Sequence, residues 1–347
     1  MKYKNVQLFI CGLLFSSVVL AQVKLENIDN IKEPAALLAE QKLTDVGKVK
    51  NIMVPSFCIN FVSKSCLPVA KVKTPPLPTA QNNVMIITGI RDHVYQQITD
   101  EAYQYYIFKL VEKGFLITDR DKFEQNYSYK TMVHNEPNNT EFKIQGNLNE
   151  PFYKLSGATH ARTFSAGNNI WFQFMNVPAN LPKVNKMAKE LQSTLAEMNL
   201  TVDFLEYIAQ KGKTEPCSVA NTMGVLIPFN FDFKPKLNIL SFSANFVTPS
   251  YLYGNSSQKI NLSSEKKFFK DIKFFPKNPD LELNFGKSAK FFELVVDEQV
   301  YKATAIELLK KYIDGTVDRL MGVVPVEIVV PTKPGVKSKT NAAPVKK

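Results

Sequence analysis

Residues 84–125 limit what this chain can fold into more than any other stretch. Residues 83–90 (NVMIITGI) form a short apolar run with the length and β-branched content of a buried strand. Thr99 then offers a helix-capping side chain, with Asp100 and Glu101 at the positive end of the helix dipole. Ala102, Tyr103, Tyr106, Ile107, Leu110 and Val111 recur three and four apart and make one apolar stripe. Lys109 and Lys113 sit near the negative end, and Gly114 is placed to stop the helix. Residues 115–118 (FLIT) resume as a strand. Strand, helix and strand within about thirty residues match a crossover unit with parallel neighbours, so the sequence predicts an α/β or α+β protein.

Directly after that unit stand Asp119, Arg120, Asp121 and Glu124. Carboxylates at the mouth of an α/β unit can do acid and base work. Carboxylates two apart before KFEQN also suit a helix cap, with Arg120 offsetting their charge, and capping is the role expected here. His160 lies in LSGATHARTFSAG between Ser156 and Ser165, but the GxSxG elbow is missing and Gly157 and Gly167 read as turns. A hydrolytic reading would have to use Asp119, Asp121 and His160 as its catalytic groups. His93 and His134 read as surface positions. The chain has no HExxH, paired CxxC, calcium loop, GxGxxG or GxxxxGK[ST], so no metal or other cofactor is expected.

The apolar strand, the helix AYQYYIFKLVEKG and the following FLITDRDKFEQ resemble a segment of the curli secretion-channel lipoprotein superfamily and its periplasmic relatives. In that segment a helix ends at glycine and a strand finishes near Asp-Arg. The resemblance covers about an eighth of the chain. It implies an α/β domain that assembles with neighbours in the cell envelope, with a scaffold role for the helix, Gly114, Asp119 and Arg120 and no catalytic role. The lipobox cysteine is missing here, so the resemblance does not extend to anchoring or pore formation.

Lys2 and Lys4 precede an apolar run at residues 6–20, and Val19, Leu20 and Ala21 provide a cleavage site. Together they read as an export signal, with Gln22 the first mature residue. The run is shorter than the ~20 apolar residues of a spanning helix. Cys11 follows bulky Leu8, Phe9 and Ile10, which argues against a lipoprotein signal. The mature chain keeps Cys58, Cys66 and Cys217, an odd number for an oxidising compartment, so one disulfide plus one thiol is the simplest arrangement. Cys58 and Cys66 share PSFCINFVSKSCLP, where a short loop could be closed by a disulfide, and Cys217 could pair with either.

The formal charge is +11, but Lys2 and Lys4 belong to the leader. Lys333, Lys337, Lys339, Lys346 and Lys347 belong to the tail, which leaves +4 on the body. Nucleic acid is therefore not an expected partner, whereas the basic tail suits an anionic membrane surface or an acidic protein.

Elsewhere EPAALLAEQKL reads as a short helix, KNIMVPSFCINFVSKS as a strand and VKTPPLPTAQNN as a proline-rich linker. Residues 126–149 are a polar excursion, and Ile170, Phe172 and Phe174 then alternate. A second helix follows Pro178 and Pro182, carrying Val184, Met187, Ala188, Leu191, Leu195, Met198 and Leu200 on one side. The second half is aromatic and β-like. Phe229, Phe231 and Phe233 alternate, as do Phe242, Ala244 and Phe246, with Pro235 and Lys236 placed to open a hairpin between them. FFELVV leads into a last helix with Ala305, Leu308, Leu309, Tyr312, Ile313 and Val317.

The expected divisions are a leader at 1–21, an N-terminal strand and linker at 22–83, an α/β unit at 84–215, a β-rich region closed by a helix at 216–330, and a disordered basic tail at 331–347. Phe229, Phe231 and Phe233 would be core residues or, on an exposed edge, anchors for a partner. Hydrophobic residues at 45% and charged ones at 22% are ordinary globular usage, so the core should need no metal staple. Together these features predict an exported, non-catalytic envelope protein, periplasmic or outer-membrane associated, that binds or assembles with a protein partner. A secreted hydrolase and a membrane-associating β-hairpin protein are the alternatives.

Overall fold

The computed structural model describes residues 25–71, 79–131, 141–143, 159–166, 180–209, 217–220, 226–229, 231–275 and 290–323. Residues 1–24, His134, Ser156, Ile170, Phe172, Phe174 and the basic tail lie outside them. In chain order the strands are β1 (Leu25–Asn27), β2 (Leu38–Gln41), β3 (Asn51–Lys71), β4 (Thr79–Thr88), β5 (Leu116–Ile117), β6 (Glu141–Lys143), β7 (His160–Ser165) and β8 (Thr194–Ala209). They continue with β9 (Cys217–Ala220), β10 (Leu226–Phe229), β11 (Phe231–Val247), β12 (Tyr253–Gln258), β13 (Asn261–Ser264), β14 (Phe269–Phe275) and β15 (Lys290–Val296). The helices are α1 (Leu43–Val46), α2 (Asp92–Glu112), α3 (Arg120–Gln125), α4 (Tyr127–Lys130), α5 (Leu181–Leu191) and α6 (Glu298–Leu320).

Among the described residues, thirteen strands join one mixed sheet whose main path runs β1, β13, β11, β8, β3, β4, β15, β14. The chain is thus mixed α/β, with a β-rich second half closed by a C-terminal helix. β3, at 21 residues, is the spine. It runs parallel to β8 and antiparallel to β7 and β4. Proline lacks the amide a central ladder needs, and Pro55 is tolerated because it falls in the register shift between Met53 and Ser56. Past the last β3/β8 pair, Phe61 with Val202, the sheet forks. β3 continues with β4 as one antiparallel ribbon, and β8 continues with β11 as another, as far as Ala209 opposite Phe231.

Helices α2 and α6 cover one face. Phe61 lies 4.7 Å from Tyr95, Phe57 5.5 Å from Tyr103, and Phe242 stacks on Tyr312 at 4.9 Å, centroid to centroid. Each such buried side chain contributes about 2 kcal/mol of transfer free energy. On β8 the alternation is regular: Ala196, Met198 and Leu200 face these helices, and Leu195 faces the other way. There it meets Met53, Val247 and the cover formed by Val184, Met187 and Ala188 of α5, Phe123 of α3 and Tyr129 of α4.

Several local expectations are corrected. α2 begins at Asp92 rather than at Thr99, because Val94, Tyr95 and Ile98 extend the buried stripe backwards. Thr99 is buried in mid-helix, its hydroxyl donating to the Tyr95 carbonyl at 3.0 Å. Gly114 does stop the helix, at φ +84°, with the Phe115 amide returning to the Leu110 carbonyl. The segment FLIT contracts to β5, which pairs with β3, while β4 takes β15 as its parallel neighbour. Strand, helix and strand therefore follow in order without making a crossover between adjacent parallel strands.

Within EPAALLAEQKL a single 3-10 turn, Pro34–Leu37, gives way to β2, which is held by its ladder with β12. Thr79 to Asn83, expected in the linker, pair with β3 instead. α5 ends at Leu191, where Gln192 turns left-handed at φ 49°, and Leu195, Met198 and Leu200 belong to β8. Pro235 and Lys236 open no hairpin. Leu226–Phe229 pairs with β9 and Phe231–Val247 with β8, so this region does not close on itself. Pro235 borders a register shift, and Lys236 is buried against Glu265 (2.6 Å) and Glu206 (3.4 Å).

Candidate functional site

The Asp119 cluster is the capped start of α3. Asp119 Oδ1 accepts from the Asp121 amide at 3.1 Å, and Arg120 Nε bonds Glu124 Oε1 at 2.6 Å one turn on. β5 holds this cap beside the start of β3, where the Thr118 amide donates to the Ile52 carbonyl at 2.8 Å. His160 pairs with Lys64. Twelve residues of β3 separate those two points, about 40 Å at the rise of a strand. Asp119 and Asp121 therefore share no site with His160.

His160 belongs to a different cluster, built where β6, β7 and β3 meet. The Glu141 carboxylate is bound by Lys64, by Ser63 Oγ at 2.6 Å and by His160 Nδ1 at 3.4 Å. Burial alone raises this carboxyl. Hydrogen bonds from Lys64 and Ser63, with the charges of Lys64 and His160, outweigh that and hold it below its ordinary value. Nearby, Arg162 clasps Asp92 through two bonds of 2.8 and 2.9 Å, tying β7 to the first turn of α2. The arrangement has serine, histidine and carboxylate, but the carboxylate is in the middle. A nucleophilic serine needs the imidazole between itself and the carboxylate. What this cluster does chemically is neutralise a half-buried charge and pin three strands.

Polar side chains also line the sheet face turned away from α2 and α6. Asn60 Nδ2 donates to Asn199 Oδ1 (2.8 Å) and Thr201 Oγ1 (3.2 Å), and its Oδ1 accepts from Thr163 Oγ1 at 2.5 Å. One side chain thereby joins β7, β3 and β8. Asn245 bonds buried Glu197 at 3.3 Å and accepts from the Tyr253 hydroxyl at 2.8 Å, joining β8, β11 and β12. Such satisfied networks specify strand register.

The cysteines correct another expectation. Cys58 and Cys66 lie on the same strand, β3, eight residues and about 26 Å apart. A disulfide needs Cα atoms within about 7 Å, so no short loop is closed between them. Cys58 is a buried thiol facing the Met198 carbonyl at 3.7 Å. Cys217 is in β9, opposite Phe229. Phe231 stands opposite Ala209 and Phe233 opposite Tyr207 on the second ribbon. The side chains of Cys66, Cys217, Phe229, Phe231 and Phe233 lie outside the described residues.

Sequence reasoning missed two exposed apolar features. On α2, Phe108 (59% exposed) and Val111 (53%) stand one turn apart on the outer side of the helix, and Leu116 of β5 (66%) is exposed as well. Val111 falls in the stripe expected to be buried, whereas Phe108, an aromatic lying outside that stripe, is the visible signal. The second feature is β14, where Ile272, Phe274 and Phe275 are exposed at the end of the sheet. Among the described residues, no helix is long and apolar enough to cross a membrane, and no cluster of His, Cys, Asp and Glu could hold a metal ion.

Compared with known proteins, the chain matches no family model, no curated protein and no solved structure.

Proposed function

We propose that this is an exported, non-catalytic protein of the cell envelope that works by docking a protein partner in a periplasmic or secretion-associated complex. The observation that carries this reading is the exposed apolar pair Phe108 and Val111 on the outer side of α2. Large apolar side chains clustered on the outside of a helix whose inner face is already buried mark a surface that another molecule covers. Export rests on the leader at residues 1–21, and an assembly role agrees with the resemblance of residues 84–125 to envelope channel proteins.

The test is capture from intact envelopes with the mature protein and a Phe108→Ser/Val111→Ser variant that melts like the parent. Loss of the captured proteins with the variant supports the reading. Capture of the same proteins by both sinks it. Amino-terminal sequencing of the protein recovered from its native host checks export, with Gln22 expected first.

A further inference from the structure

β14 ends the main path of the sheet. Its inner edge pairs with β15, and its outer edge has no partner strand among the described residues. From Lys270 to Phe275 every residue is exposed, including Ile272 (41%), Phe274 (52%) and Phe275 (41%). An apolar edge strand of this kind is a template for another strand. Lysine on such an edge ordinarily repels a second strand, so the charges decide what can pair with it.

We infer that the outer edge of β14 pairs antiparallel with β14 of a second copy of this chain, making a twofold dimer with a sheet continuous across both copies. The strand Phe269–Phe275 (FKDIKFF) is complementary to itself in the register centred on Ile272. That register sets Ile272 on the twofold axis against its own copy. It places Asp271 of each chain opposite Lys273 of the other, twice. The ladder of β14 with β15 shifts register between Phe269 and Asp271, so the match rests on residues 271–273. Opposite charges facing one another across antiparallel strands stabilise the pair, and contacts repeated about a twofold axis are the usual form of a dimer interface. Neither neighbouring register keeps this match. Centring on Lys273 sets Lys273 against its own copy, and centring on Asp271 sets Asp271 against its own copy, like charge on like in both. On β14's own sheet Lys273 stands opposite Glu293 of β15, and Asp271 Oδ1 accepts from the next amide, that of Ile272, at 2.8 Å, so the pairs across the axis form in competition with these contacts.

The test is sedimentation velocity on the mature chain across a concentration series. Wild type should be a dimer. Lys273→Glu sets like charges together at both symmetric positions and should weaken the dimer about tenfold or more, and Asp271→Lys should do the same. The double variant Asp271→Lys/Lys273→Glu restores opposite charges in the same register and should dimerise again. Mixing the two single variants should yield a heterodimer. Thermal melts that match wild type show that each variant is folded. A wild-type monomer throughout the series overturns the inference, as does a dimer indifferent to Lys273→Glu. A double variant that stays as weak as the single ones overturns the register.

Discussion

Arg91 grips Glu298 at three points. Its Nη2 lies 2.6 Å from Oε1, and its Nε and backbone amide lie 3.1 and 3.0 Å from Oε2, so the cap residue of α2 holds the first residue of α6. The side-chain hydrogen bond, then the backbone one, lower the Glu298 carboxyl from 4.5 to about 2.

A carboxyl depressed in the folded state adds stability that is complete above its unfolded value and is lost as pH falls towards the folded one. Glu298→Gln should therefore lower the melting temperature at pH 7. The deficit should shrink between pH 4.5 and 2, the window set by those two values. Melts followed by circular dichroism from pH 7 to pH 2 check this, and a deficit constant over the whole range would contradict it.

Gly315 lies inside α6, where glycine ordinarily costs about 1 kcal/mol relative to alanine. A Cβ there would come 2.5 Å from the Pro34 carbonyl oxygen, a backbone atom that cannot rotate away. Gly315→Ala should destabilise by about 1–3 kcal/mol in chemical denaturation, despite the better helix former. At Gly114 a Cβ would meet nothing within 4 Å, so its alanine variant should lose only the cost of the left-handed backbone, about 1–2 kcal/mol.

Asn60→Ala leaves Thr163, Asn199 and Thr201 without the amide that joins them in a buried seam. The expected loss is about 2 kcal/mol, the cost of stranding buried polar groups. Urea denaturation measures it. A loss below about 0.5 kcal/mol would mean the seam is not a structural tie.

Cys58 should resist maleimide until the protein is denatured, since its thiol is buried in the sheet. Non-reducing peptide mapping should find no bridge between Cys58 and Cys66. Finding that bridge would require β3 to be broken between them.

The parts of the fold legible in the sequence were those set by local chemistry. Gly114 ends α2, Asp119 caps α3, and the stripe from Ala305 to Val317 makes α6, because each depends on residues within a few positions of itself. The missed parts were settled by distant partners. Leu195, Met198 and Leu200 fit a helical stripe as well as a strand, and only β3 and β11 on either side decide for the strand. Pro235 reads as a turn until β8 is laid beside it. The exposure of Phe108 and of β14 depends on what α6 and β15 leave uncovered, which no local pattern records.

The sequence by itself determined a mixed α/β composition, two well-marked long helices and the capping role of the Asp119 cluster. It did so through periodicity and end chemistry, which act over one or two turns. Only the tertiary structure decided that β3 is the spine of one sheet, that Cys58 and Cys66 are too far apart to bond, that Asp119 and His160 never meet, and that β14 is left as an edge. Each of these is a statement about which strand lies beside which, and strand pairing is chosen by the packing of the whole sheet against its helices, far beyond the reach of neighbours in sequence.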